Sequence, residues 1–164
     1  MFKRVLLCYD GSAAGRRALR RGAELAILLQ SRVFVLSIVP AGSVDPALIA
    51  AAAGTTCIAD FRAQEFRKLL DESIEWLRSR GVSAEGYLTH GNTIDQISGY
   101  AKRLEIDLIV LGHYPQATGG FWWSSGTRTT LAERVGCCIL LASEGPREPR
   151  AANAEIAAGS ITDG

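Results

Sequence analysis

No C-x-x-C pair occurs among the four cysteines of this chain, Cys8, Cys57, Cys137 and Cys138. Their spacing fits no zinc-binding pattern, and no carboxylate or histidine cluster supplies a metal site in its place. No apolar run is long enough to cross a bilayer; the longest lies near Pro46 to Ala53. The opening Met1-Phe2-Lys3-Arg4 runs straight into Val5 to Cys8, too short for the apolar core of a signal peptide. No Walker A pattern is present, so no phosphate-loop lysine is available. No charge sign dominates: the formal net charge is +1, which removes the clue that would point to a nucleic acid or a membrane. The expectation is a cytoplasmic protein with reduced thiols and neither a nucleic-acid nor a membrane partner.

What is present is ordinary globular material. Of 164 residues, 48% are hydrophobic and 21% charged, which suits one domain with a sizeable core. That domain is expected over residues 1–143. Residues 144–164 carry Gly145-Pro146, Pro149 and many Ala and Gly, with only Ile156 and Ile161 as large apolar residues. That segment is expected to be a disordered tail. There is no internal repeat.

Apolar runs alternate with helical patterns. Val5 to Cys8, Val33 to Val39, Ile106 to Leu111 and Cys137 to Ala142 are nearly continuous, as strands covered on both faces require. Val82 to His90 is more polar and suits an edge strand. Between them, Gly15, Leu19, Gly22, Ala26 and Leu29 recur at steps of three and four and give a small-residue face for close packing. Arg16, Arg17, Arg20 and Arg21 fall elsewhere and read as a solvated face, with Arg20 and Glu24 as an i,i+4 pair. A second helix is expected over Asp60 to Arg80, with Phe66, Leu69, Leu70 and Leu77 on one side and Gly81 behind it. Ile94, Ile97, Ala101 and Leu104 mark a third helix, and about Thr127 to Val135 a fourth. The long Ala-rich connection Pro40 to Cys57 is expected to hold a short helix. This strict alternation implies right-handed crossovers and a doubly wound α/β domain: a five-stranded parallel sheet of order 3-2-1-4-5 with helices on both faces.

In such a sheet ligands bind beyond the carboxyl ends of the strands, where the strand order reverses. Here that point lies between the first and fourth strands. The first runs into Tyr9-Asp10-Gly11-Ser12 and the fourth into Gly112-His113. Asp10 can accept hydrogen bonds from a ribose or an adenine amine; alternatively Asp10 or Ser12 caps the first helix. Residues 112 to 127 hold Gly112, Gly119, Gly120 and Gly126 with Ser124, Ser125 and Thr127. Glycines let backbone N–H groups approach phosphate oxygens, and Gly126-Thr127 opens a helix whose N-terminus favours an anion. Trp122 and Trp123 could stack on a base, but paired aromatics more often seal core or an oligomer contact. His90 and His113 stand at two strand ends; His113 reads as a pocket-lining group rather than a catalyst. Cys137-Cys138 opens a buried strand and reads as small hydrophobes.

Taken together these residues resemble the universal stress protein family over residues 2 to 143. Four places carry the resemblance: Val5 to Ser12, Gly91-Asn92 with Ile94 and Ile97, Asp107 to His113, and Gly126-Thr127 followed by Cys138 to Leu141. The resemblance implies a Rossmann-like fold, homodimerisation through the last strand and, in one branch, ATP binding through G-x2-G-x9-G-(S/T). Gly112 matches the first glycine and Gly126-Thr127 the last pair. The interval is one residue longer, and Pro115 and Gln116 stand where the second glycine belongs. Pro115 brings no N–H, so Gly119, Gly120 and Ser125 are the residues left to compensate. By resemblance, Cys8, Asp10, Ile38 and Leu111 surround the adenosine, Ser37-Ile38 gives backbone contacts to adenine, and Gly126, Thr127 and Arg128 hold the phosphates. The ligand implied is ATP, with AMP or ADP as alternatives and Mg²⁺ as companion.

Three functions compete. The favoured one is a nucleotide-binding stress-response regulator, with at most slow ATP hydrolysis, because no activated nucleophile, metal site or carboxylate pair is evident. The second is a dimeric interaction module of the branch that binds no nucleotide, for which the missing second glycine argues. The third, an adenylating enzyme, ranks last: Asp10-Gly11-Ser12-Ala13 lacks the repeated serines and glycines of a pyrophosphate loop.

Overall fold

A computed structural model describes residues 1–40, 55–112 and 125–142 of the chain. The element order is β1 (Arg4–Cys8), α1 (Ala13–Leu29), β2 (Arg32–Pro40), α2 (Thr55–Arg78), β3 (Ala84–Gly91), α3 (Thr93–Arg103), β4 (Leu108–Gly112), α4 (Ser125–Arg134) and β5 (Cys138–Ala142). All four strand pairings are parallel, and the sheet order is β3-β2-β1-β4-β5. The order expected from the alternation of runs and helices is therefore the one observed. The short helix expected between Pro40 and Cys57 and the tail 144–164 lie outside the described residues, apart from the start of α2.

The strands at the centre explain why their runs are unbroken. In β1, Val5 and Leu7 join a cluster with Ala18, Leu19 and Ala23 of α1 and with Leu70, Ile74 and Leu77 of α2. Leu6 and Cys8 point the other way, into a cluster with Ile97 and Ala101 of α3 and Leu131 of α4. Alternate residues thus bury on opposite faces, and a run with both faces covered is apolar almost throughout. Helix α1 packs close because its inner face is small: Ala14, Gly15, Ala18, Gly22, Ala23 and Ala26 are buried with Leu19. A Cβ on Gly22 would stand 2.3 Å from Leu7 Cδ2.

The polar residue near the start of the fourth run has a structural task. Asp107 accepts the backbone N–H of Lys3 at 2.7 Å and of Arg4 at 3.1 Å, tying β1 to β4 at their amino-terminal ends. Several local expectations differ from the structure. Arg21, not Arg20, pairs with Glu24, at 2.9 Å and i,i+3 spacing. Helix α2 begins at Thr55 rather than Asp60, and Phe66 leans toward the α3/α4 cluster instead of sharing the face of Leu70 and Leu77. The last strand is not buried on both sides. β5 is an edge strand, Cys138 is exposed and Cys137 only half-buried, so these thiols are not both core residues.

Candidate functional site

The carboxyl ends of β1, β2 and β4 converge on one edge. Cys8 lies in register with Leu36, and Leu7 with Val110. Tyr9 continues the ladder, its N–H donating to Leu36 O at 3.0 Å. The Ser37 hydroxyl, buried, donates to Tyr9 O at 2.8 Å. A hydroxyl inside an otherwise apolar run was the visible signal for this clamp, but its partner is set only by the fold.

Beyond Tyr9 the chain turns into α1. Ser12 is the N-cap: its Oγ accepts the Gly15 N–H at 2.9 Å. Asp10 Oδ1 accepts the Ser12 N–H at 3.0 Å and also the Ser12 hydroxyl. The two sequence alternatives therefore divide. Ser12 caps the helix directly, and Asp10 holds the cap from outside, at the tip of the strand. Gly11 lies at φ 78°, which calls for glycine, and a Cβ there would fall 2.6 Å from the side-chain tip of Leu69, at Cδ1.

Gly112 closes the opposite side. A Cβ on it would lie 2.6 Å from Ala14 O and 3.0 Å from Gly15 N. On Gly15, a Cβ would lie 2.5 Å from Asp10 Oδ1. The end of β4 and the acidic tip of β1 thus flank the same first turn of α1, at the point where the strand order reverses. Helix α4 contributes from a third direction. It ends just before β5 starts, so it runs antiparallel to the strands and its N-terminus, with Gly126, Thr127 and Arg128 in the first turn, lies at the carboxyl edge. The unpaired N–H groups of a first helical turn favour an anion there.

Cys8, Ile38 and Leu111 are all buried, in one cluster with Leu36 and Ile97. They form an apolar floor under the edge, and what stands at the edge itself is the Asp10 carboxylate and backbone. Burial, and then the negative charge of Asp10, push the Cys8 thiol far above its ordinary range, so it is a neutral wall and no nucleophile. Burial likewise raises the Tyr9 phenol, opposed by the charge and hydrogen bond of Arg16. Gly119, His113, Trp122 and Trp123 lie outside the described residues. His90 is the last residue but one of β3 and is exposed. Among the described residues no group of three or more His, Cys, Asp or Glu could hold a metal ion, and no helix is long and apolar enough to cross a membrane.

An open parallel sheet of order 3-2-1-4-5, with a carboxylate and a tight glycine meeting at its switch point, defines a Rossmann-like α/β domain. Within that class, the model of the universal stress protein family matches residues 1–135, and the chain belongs to this family. Comparison with curated proteins finds no match. Among solved structures the chain is similar to the universal stress protein UspA from Lactobacillus plantarum, at 20% identity and TM-score 0.68 over 86% of this chain and 97% of that one. It is similar to a universal stress protein family protein from Arabidopsis thaliana with AMP bound, at 16% identity and TM-score 0.61, over 88% and 93%. It is also similar to the universal stress protein from Archaeoglobus fulgidus in complex with dAMP, at 17% identity and TM-score 0.55, over 86% and 97%.

Proposed function

We propose that this chain is a stress-response regulatory protein of the cytoplasm that binds an adenine nucleotide at the carboxyl edge of its sheet, ATP before AMP or ADP, with Mg²⁺ as companion of the phosphates. One observation carries the reading: Asp10 and Gly112 flank the first turn of α1 at the switch point. Structures of similar fold hold AMP and dAMP, which supports the adenine part. Asp10 is the acceptor for the ribose. Cys8, Ile38 and Leu111 floor the adenine side, and Gly112 lets the nucleotide approach backbone. Gly126, Thr127 and Arg128, with Gly119 from the preceding connection, receive the phosphates. At most slow ATP hydrolysis is expected of it.

The assembly proposed is a homodimer through β5. Leu140 and Leu141 are 40% and 43% exposed on a strand that, among the described residues, is paired on one side only, and an apolar edge of that kind is stable when covered. The domain proposed is 1–143, with 144–164 as a tail. The functional test is the supernatant of the denatured, freshly purified protein, read by absorbance and mass spectrometry. An adenine nucleotide at near-stoichiometric amount supports the reading. A nucleotide-free protein that also fails to take up added ATP supports the interaction module instead, for which Pro115-Gln116 in place of the second glycine already argues.

A further inference from the structure

Helix α3 starts at the carboxyl edge, beside the apolar floor of the candidate nucleotide site. Ile97 is buried in one cluster with Cys8, Ile38 and Leu111, and Ile94 packs against the same cluster. Gln96 lies between these two anchors in the sequence and is half-buried. Helical side chains lean toward the helix N-terminus, and here that direction leads to the ends of β2 and β3.

The strand register fixes where the Gln96 carboxamide lies. The Thr89 hydroxyl donates to Gln96 Oε1 at 2.9 Å. Thr89 is in register with Ile38, and Gly91 with Pro40. Tyr87 packs against the cluster that holds Ile38, so Thr89, two residues further along β3, projects from the same face. A Cβ on Gly91 would stand 3.5 Å from Gln96 Nε2. The carboxamide therefore covers the last rungs of the β2–β3 ladder, with its oxygen tied to Thr89. Its nitrogen has no hydrogen-bond partner among the described residues and stays open to solvent. Its oxygen keeps a second lone pair.

Asp10 stands on the same line. Cys8 is in register with Leu36, and Tyr9 continues that ladder, which brings Asp10 level with Ile38. Asp10, Ile38 and Thr89 thus follow one another across three neighbouring strands, each about 4.8 Å from the next. A nucleoside with its ribose at Asp10 and its base over Ile38 meets the carboxamide with the far edge of the base.

We propose that Gln96 reads the base of the bound nucleotide and that Thr89 is the positioning residue that holds it. The inference rests on the nucleotide reading above and narrows it to 6-aminopurines. A carboxamide sets an acceptor beside a donor, the pattern that pairs through two bonds with the N6 amine and N7 of adenine. Hypoxanthine and guanine carry an oxygen at C6, which turns an acceptor toward Oε1 and leaves it unpaired.

The test is titration calorimetry of the nucleotide-stripped full chain with ATP, ITP and GTP, each with Mg²⁺. The wild type is expected to bind ATP at least about tenfold more tightly than ITP or GTP. Gln96→Met, of the same length and a good helix former, is expected to bring ATP down to the level of ITP. Thr89→Val is expected to shrink the preference while ATP still binds. Asp10→Ala is expected to weaken ATP and ITP alike and so keep their ratio, as a role apart from the base requires. The ratio is the readout because a merely structural loss moves both nucleotides together. If the wild type binds ATP, and Asp10→Ala weakens it, yet ITP binds equally or the preference survives in Gln96→Met, the proposal is overturned and the nucleotide reading stands. An unchanged ratio in Thr89→Val overturns the positioning role. If the wild type binds none of the three, both the proposal and the nucleotide reading fall.

Discussion

The backbone of Gly112 rests against the carbonyl of Ala14: a Cβ at residue 112 would stand 2.6 Å from Ala14 O. The obstructing atom is backbone, in a helix start already held by the Ser12 cap, so it cannot swing aside as a side-chain tip would. Gly112→Ala is therefore expected to destabilise the fold by about 1–3 kcal/mol, the range for forced overpacking. Urea unfolding checks this, and a midpoint equal to wild type would show that α1 and β4 separate easily.

Two other glycines have open space around them, and their substitutions are expected to act with opposite sign. At Gly99, in α3 with ordinary φ, alanine adds helix propensity, and Gly99→Ala is expected to stabilise by roughly 0.5–1 kcal/mol. Gly81 sits at φ 76° behind α2. There alanine is forced into the left-handed region, and Gly81→Ala is expected to cost about 1 kcal/mol despite the space. Thermal melts of the two variants side by side give the signs directly.

Alkaline pH should loosen the protein through Cys8. Its thiol is raised above the ordinary value of 9.0, by burial first and by Asp10 second. The unfolded chain releases this proton near pH 9, whereas the folded chain keeps it. The contribution is thus complete below pH 9 and declines as pH rises beyond it, at up to about 1.4 kcal/mol per pH unit for one proton. Unfolding midpoints from pH 7 to 10.5 should fall above about pH 9, and Cys8→Ala should flatten that fall. A wild-type curve level throughout that range would contradict the burial of the thiol.

The edge strand offers a separate test. Leu140→Arg places a charge on the exposed side of β5, and such a charge on an edge blocks strand pairing. Light scattering after gel filtration should show the wild type at twice the mass of the variant. Equal masses would place the dimer contact elsewhere or nowhere.

How far the chain could be read differs by element. The parallel sheet followed from Val5 to Cys8, Val33 to Val39 and Ile106 to Leu111, because such nearly unbroken apolar runs suit strands covered on both faces, and the strand order was expected from their alternation with helices. The switch-point pairing of Asp10 with Gly112 followed from the same topology. The closing run was misjudged for an equally physical reason. Cys138 to Leu141 is as apolar as a central strand, yet among the described residues β5 has a neighbouring strand on one side only. Its apolar residues alone do not tell an edge strand from a central one. The Glu24 partner was misassigned because Arg20 and Arg21 are both within reach of it along the helix, and rotamers decide between them. The start of α2 at Thr55 was hidden because Thr55-Thr56-Cys57 shows no apolar periodicity. The Gly11–Leu69 approach and the Ser37–Tyr9 clamp join residues far apart in the chain, and no local pattern encodes them.

Nucleotide binding is measured most directly by titration calorimetry of the nucleotide-stripped protein with ATP and Mg²⁺, beside Asp10→Ala. Saturable binding by the wild type, weakened at least about tenfold in Asp10→Ala by loss of a charged acceptor, is the expected result. No heat of binding up to about 1 mM ATP, from protein whose unfolding remains cooperative, would contradict the placement of an adenine nucleotide at this edge.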